Sequence, residues 1–217
     1  MMLRRQLSIQ GKTTNVGNLE GAMSAEPLDP RIRRTRQLLQ QALEKLMKKK
    51  GFEEISVQDI AEAATVNRAT FYDHYPDKFA LLESMVGGQF CQFLNDREVS
   101  FDGTCGSALK GMVLAVCDYV ARQKKPEPHM ESAIIAVVRR MLLEGLQRHS
   151  PPKGASAEMT AAAASWAMYG AVKEWAQTPK RAPSEQIADT VAALVRPLLS
   201  NNRTDHSRGD TSAHPDG

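Results

Sequence analysis

No stretch of this chain is apolar enough to cross a membrane; no run approaches the roughly 18 residues that a spanning helix needs. Cysteine is scarce. Cys91, Cys105 and Cys117 are odd in number and far apart, so neither a disulfide framework nor a metal-ligand pair is in view, and free thiols suit a reducing cytosol. Strand signals are missing: there is no alternating β-branched run and no hairpin dipeptide at strand spacing. The five histidines, His74, His129, His149, His206 and His214, are scattered. With no phosphate loop, nucleophile elbow or metal cluster, the sequence assigns no catalytic residue, no metal and no cofactor. The opening "MMLRRQLSIQGKTTNVG" has a basic front but no apolar segment behind it, unlike a secretory signal.

What remains is helical. Of 217 residues, 42% are hydrophobic and 24% charged, the balance of a globular chain able to bury a core. Residues 1–28 and 201–217 are polar and aperiodic and read as a disordered arm and tail. Between them the expected fold class is all-α. A first helix opens at Asp29, a capping residue, with Pro30 at the first helical position. Ile32, Leu39, Leu43, Leu46 and Met47 form its apolar stripe, and Gly51 is expected to end it. Residues 31–50 carry eight Lys or Arg against the single Glu44. Such clustering is either the footprint of a phosphate-bearing partner or a solvated helix face.

A second helix is predicted from Ser56, with Asp59 three residues on as a capping-box partner. Val57, Ile60, Ala61 and Ala64 share one arc. A short turn leads to Asn67, a good cap for a third helix. At about 100° per residue, Phe71 and Tyr75 fall on one side of that helix. Ala69, Thr70 and Asp73 fall on the other, and Arg68, Tyr72 and His74 on the flanks. Two short helices joined by a tight turn make a helix-turn-helix unit, spanning residues 56–75, whose second helix enters a DNA major groove by its N-terminal part. Thr70 then suits a base edge or a thymine methyl. Tyr72, His74 and Lys78 offer donors for phosphate oxygens, Lys78 also standing at the start of a fourth helix. Asp73 either accepts from a cytosine amino group or makes no contact.

The run "ISVQDIAEAATVNRATFYDHYPDKFALL" resembles the DNA-binding domain of the TetR/AcrR family of bacterial transcriptional regulators. The matching residues are Ser56, Asp59-Ile60-Ala61, Ala64-Thr65-Val66-Asn67, Ala69-Thr70-Phe71-Tyr72, His74-Tyr75, Lys78 and Leu81-Leu82. The upstream "RTRQLLQQALEKLMKKKGFEEI" fits the family's first helix. The resemblance implies a cytoplasmic bacterial regulator with no enzymatic role. Its domain would be a DNA-binding head over 29–90 and a helical body for effector binding and dimerisation over 91–200. The DNA-facing set is Ser56, Asn67, Arg68, Ala69, Thr70, Tyr72, His74 and Lys78. The partners implied are double-stranded DNA with a palindromic operator, a second copy of the chain and a small-molecule effector, with no membrane. One position departs from the pattern. Thr65 stands where the family has glycine, so either the turn differs or strain of order 1 kcal/mol is tolerated.

The fourth helix, from Lys78, carries Gly87-Gly88, which marks a bend or a close approach to a neighbour. Two amphipathic helices follow over "SALKGMVLAVCDYVARQ" and "HMESAIIAVVRRMLLEGLQRH". In the family the body often encloses a small-molecule site, so Met112, Cys117, His129 and Met141 are the effector candidates; plain core is the competing reading. In "AAAASWAMYGAVKEWAQ", Trp166, Tyr169 and Gly170 face one way, and Met168, Val172 and Trp175 the other. A helix apolar all round needs covering all round. The resemblance implies that this helix and "SEQIADTVAALVRPLL" pair with a second copy through Trp166, Tyr169, Gly170, Val191, Leu194 and Leu198. Pro197 is expected to bend or end the last helix. Two rival readings, an all-α enzyme and a helical interaction module without DNA binding, fit these features less well.

Overall fold

The computed structural model describes residues 29–97, 99, 106–122, 128–148 and 155–200. The arm 1–28, the tail 201–217, Cys105 and His149 lie outside them. Among the described residues every element is helical, as expected of an all-α chain. No described helix is long and apolar enough to cross a membrane.

α1 runs Pro30–Met47. The Asp29 side chain accepts from the Arg31 N–H at 2.8 Å, and Pro30 occupies the first turn, where its missing N–H costs nothing. Leu39, Ala42 and Leu43 are buried, but Ile32, the first member of the predicted stripe, is exposed. The helix also stops earlier than expected. Gly51 has φ −60 and opens a 3₁₀ turn, Phe52–Glu54, instead of closing α1 in a left-handed conformation. That turn swings Phe52 and Ile55 into the core. α2 (Val57–Ala63) and α3 (Arg68–His74) complete a three-helix head on α1. Both are only seven residues long, too short to persist alone in water; the buried side chains of Ile60, Ala61 and Phe71 hold them to the head.

α4 (Lys78–Asp96) leaves the head and packs on the body. Its Gly87 is a close-approach position. A Cβ there would lie 3.1 Å from Arg140 Nη2 and 3.7 Å from Val137 Cγ2, whereas Gly88 faces open space. The body is α5 (Gly106–Arg122), α6 (Pro128–Arg148), α7 (Ala157–Gln177) and α8 (Ser184–Leu199). α4 lies on α6, α6 on α7, and α5 on both α7 and α8. Leu109, Met112, Ile134, Val138, Met168, Val172 and Val195 fill the space between them. Lys173 pairs with Glu131 at 2.9 Å to tie α7 to α6, and Lys110 with Asp189 at 2.7 Å to tie α5 to α8. The Trp175 indole N–H donates to the Ala182 carbonyl at 2.8 Å and closes the α7–α8 connection. Pro197 lies inside α8, which ends two residues later at Leu199, consistent with its inability to donate the helical hydrogen bond.

Candidate nucleic-acid interface

The α2–α3 unit is built by its caps. Ser56 Oγ accepts from the Asp59 N–H at 3.1 Å, and Asp59 Oδ2 accepts from the Ser56 N–H at 2.7 Å. This reciprocal box fixes the start of α2. Asp59 also takes the Ser56 hydroxyl at 2.8 Å and the Lys50 ammonium at 3.0 Å. The Ser56 backbone N–H is the main cause, with the Ser56 hydroxyl and Lys50 adding to it, of a carboxyl pKa lowered to about 2.

At the far end, Thr65 has φ 59. The Val66 N–H reaches the Ala61 carbonyl at 3.0 Å and the Thr65 N–H the Glu62 carbonyl at 3.0 Å. This is the two-bond Schellman ending, with its left-handed residue at Thr65. The turn therefore keeps the glycine-type geometry, and a β-branched residue carries the strain. Asn67 then caps α3 through a 2.9 Å bond from the Ala69 N–H to Oδ1.

The aromatic cluster divides as its helical spacing predicts. Phe71 is fully buried and Tyr75 nearly so, its hydroxyl 3.2 Å from Ser84 Oγ on α4. Tyr72 is 47% exposed. Its ring is braced edge-on by Phe71 at 5.5 Å. The Arg68 guanidinium lies 5.6 Å from the Tyr72 ring centroid and donates from Nη2 to the Tyr72 hydroxyl at 3.2 Å. Arg68, Ala69, Tyr72 and Asp73 share the open side of α3, with Thr70 and His74 half-buried beside them. Arg31, Arg33, Arg34 and Lys45 on α1, and Lys48 and Lys49 just after it, are exposed.

Three groups of predicted site residues stand differently in the structure. Lys78 is not presented as a phosphate donor. Its ammonium donates to the carbonyls of Phe52 at 3.0 Å, Glu53 at 3.1 Å and Ile55 at 2.9 Å, and its side chain is only 16% exposed. All three N–H donors are thereby engaged, and Lys78 caps the 3₁₀ turn from α4. The effector candidates do not converge. Met112, Cys117 and Met141 are core residues of the body, and burial pushes the Cys117 thiol up to about 12, away from a reactive thiolate. His129 stands instead at the start of α6, where it meets Glu53 of the head. The dimerisation set also divides. Tyr169 and Val191 are buried within the chain's own core, whereas Trp166, Gly170, Leu194 and Leu198 are exposed.

Sequence reading missed the His129–Glu53 pair, in which the His129 ring also lies tilted against Phe52 and Phe79, with centroids 5.3 and 5.1 Å away. It follows from helix packing and leaves no local mark in the sequence. The one available signal is Phe79, an aromatic out of step with the buried Leu81, Leu82, Met85 and Val86.

The α2–turn–α3 unit defines the helix-turn-helix class, with a recognition helix whose outer face is open. The family model "Bacterial regulatory proteins, tetR family" matches residues 39–85. That match takes in the second half of α1, α2, α3 and the first part of α4. The uncharacterized HTH-type transcriptional regulator YxbF of Bacillus subtilis is 43% identical over 60 residues, 27% of this chain and 16% of that protein. The dhaKLM operon transcriptional activator DhaS of Lactococcus lactis is 31% identical over 62 residues, 29% of this chain and 33% of that protein. The matches thus span a third or less of these curated relatives. Among solved structures, Lin0861 from Listeria innocua superposes with a TM-score of 0.58 at 20% identity, over 81% of this chain and 97% of that one. A TetR-family regulator from Streptomyces coelicolor gives 0.54 at 16% identity, over 80% and 98%. Those two likenesses establish the fold.

Proposed function

We propose that the chain is a homodimeric transcriptional regulator, acting as a repressor that a small-molecule effector releases from a palindromic operator. Residues 29–90 form its DNA-binding head and 91–200 its effector-binding and dimerisation body, and it works in the bacterial cytoplasm. The observation that carries the reading is the outer face of α3. Arg68, Ala69 and Tyr72 lie open, with Thr70 half-buried beside them, at the N-terminal part of a capped recognition helix, where side chains of this motif meet base edges. The exposed cations of α1 supply a sequence-independent attraction to phosphate. Ser56 and Asn67 act mainly by fixing the helices, since both side chains are engaged in caps.

Trp166 and Leu194, 60% and 69% exposed, carry the dimer reading. With Met159, Gly170 and Leu198 they put an apolar surface on the outside of α7 and α8, and no Cβ at Gly170 would meet anything within 4 Å. A second copy placed there would cover that surface. Two heads would then read half-sites roughly 34–36 Å apart.

The test is binding of duplex DNA from the region upstream of the gene, measured over a range of salt. Tyr72→Ala and Arg68→Ala are each expected to weaken binding about tenfold or more, and loss of a phosphate contact lowers the salt slope by about 1. Unchanged affinity and slope in both variants overturn the head assignment. The sign of control is read separately, because DhaS is named an activator. Deleting the gene raises transcription from the bound promoter if the chain represses it, and lowers it if the chain activates.

A further inference from the structure

We propose that the cleft between the first turns of α4 and α6 binds a small organic monocation with a flat apolar body. The proposal rests on the effector-controlled reading above and gives the effector a place and a chemical class. The cleft has a volume of about 370 Å³, within the range of small-molecule sites. Asp77, Phe79, Leu82, Glu83, His129 and Ala136 are among its lining, which contains no Lys or Arg. Phe79 is 45% exposed although it is a large aromatic. The Lys78 ammonium lies 5.6 Å from its ring centroid, and the part of the ring left exposed can meet a further cation or another ring.

The charge balance selects the sign of the ligand. Asp77 gives one carboxylate oxygen to the Ala80 N–H at 2.8 Å, and the other has no partner among the described residues. Glu83 receives Arg140 at 2.8 Å on one oxygen only. His129 is paired with Glu53. Lys78 faces Glu53 at 4.0 Å and Arg140 faces Glu83 at 2.8 Å, so Asp77 is the lining carboxylate with no ion-pair partner among the described residues, and one positive charge on the ligand complements it. Leu82 and the small Ala136 leave room for the apolar part.

The place matters for control. His129 lines the cleft and also holds Glu53 of the head, with Phe52 of the head 5.3 Å from its ring. A ligand seated against Phe79 and His129 touches the group that joins body to head. Any difference in its affinity between two head positions shifts their populations.

Calorimetry on the full chain with benzyltrimethylammonium, benzyl alcohol and benzoate tests this. The cation is expected to bind about tenfold or more tightly than the alcohol, and benzoate more weakly than either. Asp77→Asn keeps a capping side chain and is expected to remove most of the preference for the cation while leaving the alcohol unchanged. Ala136→Leu narrows the cleft and is expected to weaken both. Thermal melting of each variant confirms that it is folded. Equal affinity for cation and alcohol in the parent chain, or a cation preference that survives Asp77→Asn, overturns the site. Cation binding that leaves DNA affinity unchanged supports the site and counts against the effector-released reading.

Discussion

At the scale of single residues, Thr65 and Asp59 work in opposite directions on the same short motif. Thr65 carries a left-handed backbone with a branched Cβ, at a cost of order 1 kcal/mol. Thr65→Gly relieves that strain but enlarges the freedom of the unfolded chain. The expected net result is stabilisation by about 0.5–1 kcal/mol, seen as a melting temperature a few degrees higher. A melting temperature that falls would show that the threonine side chain contributes more than its backbone costs. Asp59 acts through protonation. Its carboxyl is lowered from 3.8 to about 2, chiefly by the Ser56 N–H. A depressed carboxyl gives stability that is present above its unfolded value and lost as pH falls through its folded value. The head is therefore expected to lose stability between about pH 4 and pH 2, and Asp59→Asn to flatten that part of an acid titration followed by circular dichroism. Both residues were legible in the sequence, because caps and turns are decided by neighbours within five positions. The burial of Phe71 and Tyr75 was legible for the same reason, four residues being about one helical turn.

At the scale of elements, the 3₁₀ turn Phe52–Glu54 is the unexpected piece. Sequence periodicity ends α1 at Gly51, and nothing local shows that the next residues make a separate turn with open carbonyls. Lys78 satisfies those carbonyls from 23 to 26 residues away in the chain, a pairing that only the packing of α4 against the turn reveals. Removing it strands three acceptors beside the core. Lys78→Ala is expected to destabilise the head by about 2 kcal/mol; denaturant unfolding of the full chain measures it. If the loss appears instead in DNA affinity at unchanged stability, the ammonium is a phosphate contact after all. The α7 helix shows the other limit of sequence reading. Its apolar residues run round both sides, so a helical wheel separates the sides without saying which one faces the chain's own core. Packing against α5, α6 and α8 buries Met168, Tyr169 and Val172 and leaves Trp166 outside.

At the scale of the whole molecule, two surfaces of opposite character are turned outward, the polar face of α3 and the apolar face of α7 and α8. If the second pairs two copies, Leu194→Glu places charge in a desolvated position and is expected to shift the chain to monomer at micromolar concentration, as read by sedimentation. Its helical content is expected to be unchanged, because Leu194 is exposed in the single chain. DNA binding is expected to weaken along with it, since a single head offers half of the contacts. An assembly that persists in this variant would place the interface elsewhere.

The exposed indole of Trp166 also has an optical consequence. The other tryptophan, Trp175, is held by the Ala182 carbonyl and by Arg181, whose guanidinium lies 4.8 Å from its ring centroid. One chromophore is thus fixed by its own chain while the other faces solvent. Covering the outer face of α7 would move Trp166 emission to shorter wavelength and leave Trp175 largely untouched, so the molecule reports its own pairing in its colour.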